Sequence, residues 1–326
     1  MKKILFFSPS FFGYEKAIVS KLIELGYEVD FFDERSITKS VEKALFKVMP
    51  SLYKKKTEQY YEEIFQEIKD KSYDILLFIK ADSIPTQSLQ KLKHHFSNAK
   101  FYLYLWDSIR NINNIEKKFK YFDEIYSFDK EDVSNNALLK FRPLFYTDEY
   151  KKAFQKKEQY KYDLSFCGTI HSDRYKIIKT IDSFCRLNNL NVKFYNFLQG
   201  DFMYYFYKFT KREFLFSPKN NFDFEKISSS EISEIVDNSR AILDIQHPSQ
   251  TGLTMRTIEM IGMQKKIITT NKDIVEYDFY NPNNILVIDR KKPIIPLEFF
   301  STEYAPIPNE IYNSYSLESW IRDILD

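Results

Sequence analysis

Ala241-Ile242-Leu243-Asp244-Ile245, then Gln246-His247-Pro248-Ser249, then Gln250-Thr251-Gly252-Leu253-Thr254-Met255-Arg256-Thr257-Ile258-Glu259-Met260: this stretch decides how the chain is read. The first five residues are mostly apolar, are bounded by a proline-containing turn, and read as a buried strand. A helix is expected to begin near Gly252 and to run to Gly262. At 3.6 residues per turn, Gly252, Arg256 and Glu259 fall on one side of it. Met255, Ile258 and Ile261 form an adjoining apolar side suited to packing on a sheet. Free backbone N–H groups at a helix start, together with the helix dipole, attract a phosphate. Arg256, one turn in, adds positive charge. Glu259, two turns in, is placed to accept hydrogen bonds from ribose hydroxyls. The stretch therefore has the layout of a nucleotide-diphosphate site. The same spacing also describes an ordinary i,i+3 ion pair, with Gly252 as a plain turn glycine.

Working outward, 326 residues suffice for two domains with cores of their own. Lys and Arg number 48 against 46 Asp and Glu, a net charge of +2, so nothing global points to nucleic acid. Cys167 and Cys185 are too few for a disulfide framework or a metal cluster. Each reads as a small apolar residue in a reducing cytoplasm. Met1-Lys2-Lys3-Ile4-Leu5-Phe6-Phe7-Ser8 reads as a first buried strand, too soon interrupted for a signal peptide. No apolar run reaches the ~20 residues of a membrane span. The expectation is a soluble cytoplasmic protein, at most peripheral at the inner face of the plasma membrane.

Strands and helices alternate along the chain. Residues 4–7 read as a strand, 13–24 as a helix and 29–32 as a second strand ending at Asp33. Residues 39–71 are helical in pattern, with a break at Pro50. Strands follow at 74–79, 100–105 and 124–127, with a helix at 85–96. The lysine-rich segment 151–161 loses the alternation and reads as a linker. A second unit then has strands at 163–167, 192–197, 241–245, 266–270 and 285–288. Its helices fall at 174–187, 201–209 and 231–238, with a start near Asp273. Residues 293–308 are punctuated by proline, and 317–325 form a closing helix. This order predicts parallel sheets with right-handed crossovers. The expected domains are 1–155 and 156–315, with 316–326 packing back on the first.

In such sheets ligands sit beyond the carboxyl ends of strands. Ser8-Pro9-Ser10-Phe11-Phe12-Gly13, Lys80-Ala81-Asp82, Trp106-Asp107-Ser108, Gly168-Thr169 and the loop from His247 to Gly252 all lie at such ends. They are expected to line one cleft between two facing Rossmann-like domains.

The sequence resembles a GT-B glycosyltransferase of bacterial surface-polysaccharide clusters, akin to the CgeB-like and group 1 enzymes. The resemblance is carried by Asp163-Leu164-Ser165-Phe166-Cys167-Gly168-Thr169, Arg174-Tyr175, Ser239-Arg240-Ala241-Ile242-Leu243-Asp244 and the opening stretch. Lys266-Ile267-Ile268-Thr269-Thr270-Asn271, Asn284-Ile285 and Asp289-Arg290 complete it. The first half matches mainly in architecture and in Leu105-Trp106-Asp107-Ser108. Group 1 enzymes place two glutamates eight positions apart around a glycine-rich helix start. Glu259 and Gly252 match the second glutamate and its glycine, but Thr251 stands where the first would be. Neither donor identity nor retention of configuration therefore carries over.

The resemblance implies transfer of a sugar from a nucleotide diphosphate, with UDP the expected nucleotide, onto a glycan or lipid-linked glycan acceptor. The donor-side candidates are Gly168, Thr169, Arg174, His247, Gly252, Leu253, Thr254, Arg256 and Glu259. Amides of residues 252–254 and the charge of Arg256 would steady the departing diphosphate. Ser10, Gly13 and Lys80 are the acceptor-side candidates. Asp107 is the first candidate for the base that takes the acceptor proton, and Asp82 the second. Asp107 is equally placed to cap the next helix. No Asp-x-Asp triplet is present and no cofactor is expected, the nucleotide sugar being a substrate. Tyr204-Tyr205-Phe206-Tyr207-Lys208-Phe209 with Lys211-Arg212 suits either aromatic core packing or contact with a membrane surface. A nucleotide-sugar epimerase or a non-catalytic binder on the same fold are the alternatives.

Overall fold

The computed structural model describes residues 1–36, 50–155, 157, 159–248 and 251–326. The first part of the expected helical stretch 39–71, and Ser249 and Gln250 of the opening stretch, lie outside the described residues. In chain order the elements are β1 (Lys3–Ser8), α1 (Tyr14–Glu24), β2 (Glu28–Asp33), α2 (Pro50–Ile68), β3 (Ile75–Ile79), α3 (Thr86–His95), β4 (Lys100–Leu105), β5 (Glu124–Ser127), α4 (Lys130–Asn135) and β6 (Leu139–Phe141). There follow β7 (Tyr162–Thr169), α5 (Arg174–Leu187), β8 (Val192–Phe197), α6 (Asp201–Thr210), α7 (Ser229–Asp237), β9 (Ser239–Asp244), α8 (Met255–Gly262), β10 (Lys266–Thr269), β11 (Ile285–Val287), α9 (Glu298–Ser301), α10 (Asn309–Ser314) and α11 (Leu317–Leu325).

The chain forms two compact units, Met1–Leu144 with Leu317–Asp326, and Phe145–Ser316. The first division thus falls upstream of the lysine-rich segment that composition marked as a linker. Part of that segment is tied into the second unit: the Lys152 amide donates to the Gly262 carbonyl at 3.0 Å.

Unit 1 holds a six-stranded parallel sheet in the order β2-β1-β3-β4-β5-β6. All five residues of β3, Ile-Leu-Leu-Phe-Ile, are buried. A parallel strand covered on both faces needs such an unbroken apolar run. Phe7 and Phe78 stack at 4.8 Å in the core beneath α2 and α3. Helix α11 returns to this unit. Its Leu317, Trp320, Ile321, Ile324 and Leu325 recur at helical spacing and are buried. Trp320 meets the Tyr104 ring edge-on at 4.8 Å, and Arg142 Nε lies 2.8 Å from the Asp323 carboxylate.

Unit 2 holds a five-stranded parallel sheet in the order β11-β10-β9-β7-β8. Helix α5 buries Tyr175, Ile177, Ile178, Ile181 and Cys185 against it. Cys185 therefore packs as an apolar residue. Gly168 and Thr169, expected beyond the strand, are its last two residues and pair with Asn196 and Phe197 of β8. The helix expected from Gly252 begins at Met255 instead. Thr254 is its N-cap, and its hydroxyl accepts from the Thr257 amide at 3.1 Å. A threonine cap stabilises a helix by about 1 kcal/mol, enough to fix the start there rather than at a glycine. Short elements were not visible in the pattern: β6, α4, α9 and α10 are each six residues or fewer.

Candidate functional site

The carboxyl edge of the unit 2 sheet is organised by Asp244, the last residue of β9 and 4% exposed. Its carboxylate accepts from the Thr257 hydroxyl at 2.6 Å and from the Thr254 hydroxyl at 3.2 Å. The strand end is thereby stitched to the start of α8. Asn271, just past β10, donates its side-chain amide to the Thr251 carbonyl at 3.1 Å and fixes the loop before the helix. Gly252 and Leu253 are buried in that loop.

Arginines converge on this edge. Arg174, at the start of α5, donates from Nε to the Ile245 carbonyl at 2.6 Å and from Nη1 to the Thr169 carbonyl at 2.9 Å. A Cβ on Gly168 would lie 2.9 Å from the Phe166 ring, so glycine keeps room for that ring, while the Arg174 guanidinium would be at an ordinary contact distance of 3.6 Å. Arg290, after β11, clasps Asp173 through two hydrogen bonds of 2.7 and 2.8 Å, and reaches the Gln246 carbonyl at 2.8 Å. Arg256 lies one residue into α8 and pairs with Glu259 at 3.2 Å. Burial depresses the Arg174 pKa; Asp244 works against this, and Arg290 and Arg256 add to it. Arg174 thus feels both of the other guanidiniums.

Two imidazoles join them, His171 and His247, with ring centres 5.4 Å apart. Burial first, then Arg174, His247, Lys211 and Arg290, push His171 down to about 4. Lys211 donates to the Ser172 carbonyl beside it. The ensemble gathers three guanidiniums and two imidazoles at one edge, with Asp173, Asp244 and Glu259 among them, and at neutral pH the His171 ring is uncharged. Thr169, Arg174, His247, Thr254 and Arg256 from the sequence reading meet here. His171, Lys211 and Arg290 were missed as site residues, although Arg290 lay within the motif that carried the resemblance. Glu259 is 1% exposed and engaged with Arg256, so the i,i+3 ion pair is present.

The carboxyl edge of the unit 1 sheet has different chemistry. Lys80 and Ala81 follow β3 with φ of 73° and 54°, two successive left-handed residues that are not glycine. Such backbone is costly and turns the chain sharply. Lys80 Nζ lies 2.8 Å from the Asp107 carboxylate and 3.3 Å from that of Asp82. Burial opposes the Lys80 charge, but Asp107 and Asp82 outweigh it and hold its pKa above the ordinary value. Asp107 is 44% exposed, and Ser108 stands at the N-cap position of the next helical turn without a side-chain capping bond. Ser10 donates its amide to the Asp33 carboxylate at 3.1 Å, and Gly13, at φ 83°, occupies the N-cap of α1. A recess of 410 Å³ opens beside Asp82, lined also by Tyr53, Thr57, Ile84, Pro85 and Lys118.

Glu34 sits behind Asp82, 0% exposed, and neither carboxyl oxygen has a hydrogen-bond partner of good geometry. Burial, with the Asp82 carboxylate next, drives its pKa well above the ordinary 4.5. Burial also opposes ionisation of Asp82, yet Glu34 and Lys80 outweigh it and hold that carboxyl below its usual value. The two form an acid–carboxylate pair, with Glu34 keeping the proton.

A scan against protein-family models finds no match, and neither does a search of curated proteins. Solved structures match over nearly the whole chain. An α-glucosyltransferase in complex with UDP and a 13-mer DNA is similar over 100% of both chains, at TM-score 0.63 and 14% identity. The UDP-GlcNAc 2-epimerase from Methanocaldococcus jannaschii is similar over 99% of both, at TM-score 0.57 and 11% identity. The catalytic domain of starch synthase IV from Arabidopsis thaliana, bound to ADP and acarbose, is similar over 99% of this chain and 94% of that one, at TM-score 0.54 and 9% identity. At these identities the likeness establishes the fold, the two-domain α/β architecture of GT-B proteins.

Glu34 sets a pH dependence. Its folded pKa exceeds the unfolded one, so the native state keeps a proton that the unfolded chain releases. Stability is then fully present below the ordinary value of 4.5 and declines as pH rises from there towards the folded pKa. In urea melts between about pH 5 and about pH 8, Glu34→Gln should remove much of that decline. Parallel pH profiles for the two proteins would show that Glu34 is ionised in the fold.

Proposed function

We propose that this chain is a glycosyltransferase that moves a sugar from a nucleotide-diphosphate donor, UDP-linked, to a bacterial capsule, exopolysaccharide or lipopolysaccharide acceptor. The observation that carries the reading is the convergence of Arg174, Arg256 and Arg290 with two imidazoles at the carboxyl edge of the unit 2 sheet. That edge is where open α/β sheets take their ligands. The diphosphate docks against the start of α8 among these groups. Their fixed positive charge stabilises the negative charge that develops as the glycosidic bond breaks. Arg174 and Arg290 are held by backbone carbonyls, so they need little reorganisation during the reaction. In this reading they do the work that a divalent cation does elsewhere, and turnover persists in a chelator.

Unit 1 receives the acceptor. Asp107 takes the hydroxyl proton, with Lys80 holding the carboxylate in place. Asp82 is bound to Ser83 and Lys80 and faces Glu34, and serves to fix Lys80. The 410 Å³ recess beside it takes part of the acceptor glycan. Glu259 is too deeply buried to meet a ribose without moving, and its role is to aim Arg256 at the diphosphate. The wild-type protein should need an acceptor and release nucleoside diphosphate. Sugar conversion without acceptor would instead identify an epimerase, and affinity without turnover a binding protein.

The acceptor is lipid-linked and the enzyme sits peripherally at the inner membrane face. Supporting this is α6, which packs Tyr204 into the core but exposes Phe202 at 78% and Phe209 at 85%, with Phe216 at 90% nearby. Core packing thus accounts for only one side of the helix. Aromatic rings flanked by Lys208 and Arg212 suit an anionic lipid interface. Among the described residues no helix is long and apolar enough to cross a membrane.

Three measurements bear on this. Glu259→Ala should weaken UDP and pyrophosphate equally, about tenfold by calorimetry, through loss of Arg256 alignment; a loss confined to UDP would restore the ribose contact. Asp107→Asn should lower turnover by about 10²–10⁴ while sparing UDP affinity, and near-normal turnover would remove it as base. Phe209→Ser with Phe216→Ser should abolish co-sedimentation with phosphatidylglycerol vesicles. Wild-type protein that stays in the supernatant would rule out the membrane contact.

A further inference from the structure

The amino edge of the unit 2 sheet carries a second cavity, which the reading above gives no role. It encloses 510 Å³, within the range of small-molecule sites. Arg240 and Lys266, near the starts of β9 and β10, line it. Asp244 ends β9 at the opposite edge, and a strand of six residues separates its ends by roughly 17–20 Å. The cavity is therefore distinct from the arginine-rich edge.

Its walls are cationic. Lys152, Lys157, Arg240, Lys265 and Lys266 face two carboxylates, Asp237 and Glu303. Lys265 is 8% exposed and Lys266 5%. Their ammonium groups are held by carbonyls: Lys265 by Asp237 at 2.9 Å, and Lys266 by Phe299 at 2.7 Å and by Thr302. Burial pushes both down to about 8; Lys157 and Lys152 add to this at Lys265 despite Asp237, and Arg240 adds to it at Lys266. Two donors are shut from water with no hydrogen-bond partner. One is the Tyr304 hydroxyl; the other is Arg240 Nε, which lies 3.7 Å from the Asp163 carboxylate. Unpartnered donors are costly, and an anion with several oxygens that enters among the clustered cations gives them acceptors once their side chains turn to the cavity. Flat apolar surface is also present: Phe154 stacks on Tyr304 at 5.1 Å, and Tyr160 lies 5.2 Å from the Lys265 ammonium.

We propose that this pocket binds a phosphorylated small molecule carrying a ring. The phosphate sits among Arg240, Lys157, Lys265 and the Tyr304 hydroxyl, and the ring lies against Tyr160 and Phe154. One carboxylate would leave most of the surplus charge unmatched, whereas a phosphate dianion offers two charges and three acceptor oxygens.

Calorimetric titration with glucose 1-phosphate, and separately with inorganic phosphate, tests this. The wild-type protein should bind glucose 1-phosphate more tightly than phosphate. Tyr304→Phe should weaken that binding about tenfold, as loss of a hydrogen bond to a charged group does. It should leave the ligand-free melting temperature equal or higher, because it deletes an unpartnered buried hydroxyl. Lys157→Ala, at an exposed side chain, should weaken binding comparably, while Arg290→Ala at the opposite edge should not. Binding lost in Arg290→Ala but kept in the other two variants would move the phosphate to the arginine edge and overturn the proposal. No binding of either probe would do the same, and equal affinity for both would remove the ring from it. None of these outcomes depends on whether the arginine edge binds a nucleotide.

Discussion

The donor site proposed for the second unit depends on Asp244. Placed at the end of a buried strand, its carboxylate would be costly unless fully satisfied. The hydroxyls of Thr254 and Thr257 satisfy it, and in doing so they fix where α8 begins and how it is turned. The position of Arg256, and the direction of the helix dipole, follow from that junction. Arg174 feels the same carboxylate, which offsets part of the cost of burying a guanidinium. One acid thus joins a strand end to a helix start and eases the burial of a nearby arginine. A looser junction would let the positive groups spread apart by repulsion.

Most of the architecture was legible in the sequence. Parallel strands buried on both faces give continuous apolar runs, and Ile75–Ile79 or Lys100–Leu105 can hardly be read otherwise. β6, α4, α9 and α10 were not legible, because a few residues without a continuous apolar run have no measurable period. The start of α8 was misplaced because glycine was read as the helix entry, while the stronger cap was Thr254 with its Asp244 partner ten residues away. A contact over that distance leaves no trace in local pattern.

The candidate site was legible only in the part that one segment carries. Arg256 and Glu259 share a helix, so their relation follows from spacing. His171, Lys211 and Arg290 come from three other segments, and only the fold brings them to one edge. Glu34 follows the strand that ends at Asp33, and its burial behind Asp82 could not be read from its neighbours. A net charge of +2 hid the sorting of cations to both edges of one sheet. Bulk charge averages over surfaces that act separately.

Unit 1 is assembled from two distant pieces of chain, with the whole of unit 2 inserted between them. This imposes an order on biosynthesis. The ring of Tyr104 cannot be covered by Trp320 until the ribosome has added the 215 residues between them. During that interval the first sheet is made but lacks one of its coverings, while the second, encoded by one uninterrupted stretch, can mature by itself. The later-made half is therefore positioned to be the first to finish, and the nascent polypeptide carries an uncovered aromatic surface of the kind that chaperones recognise.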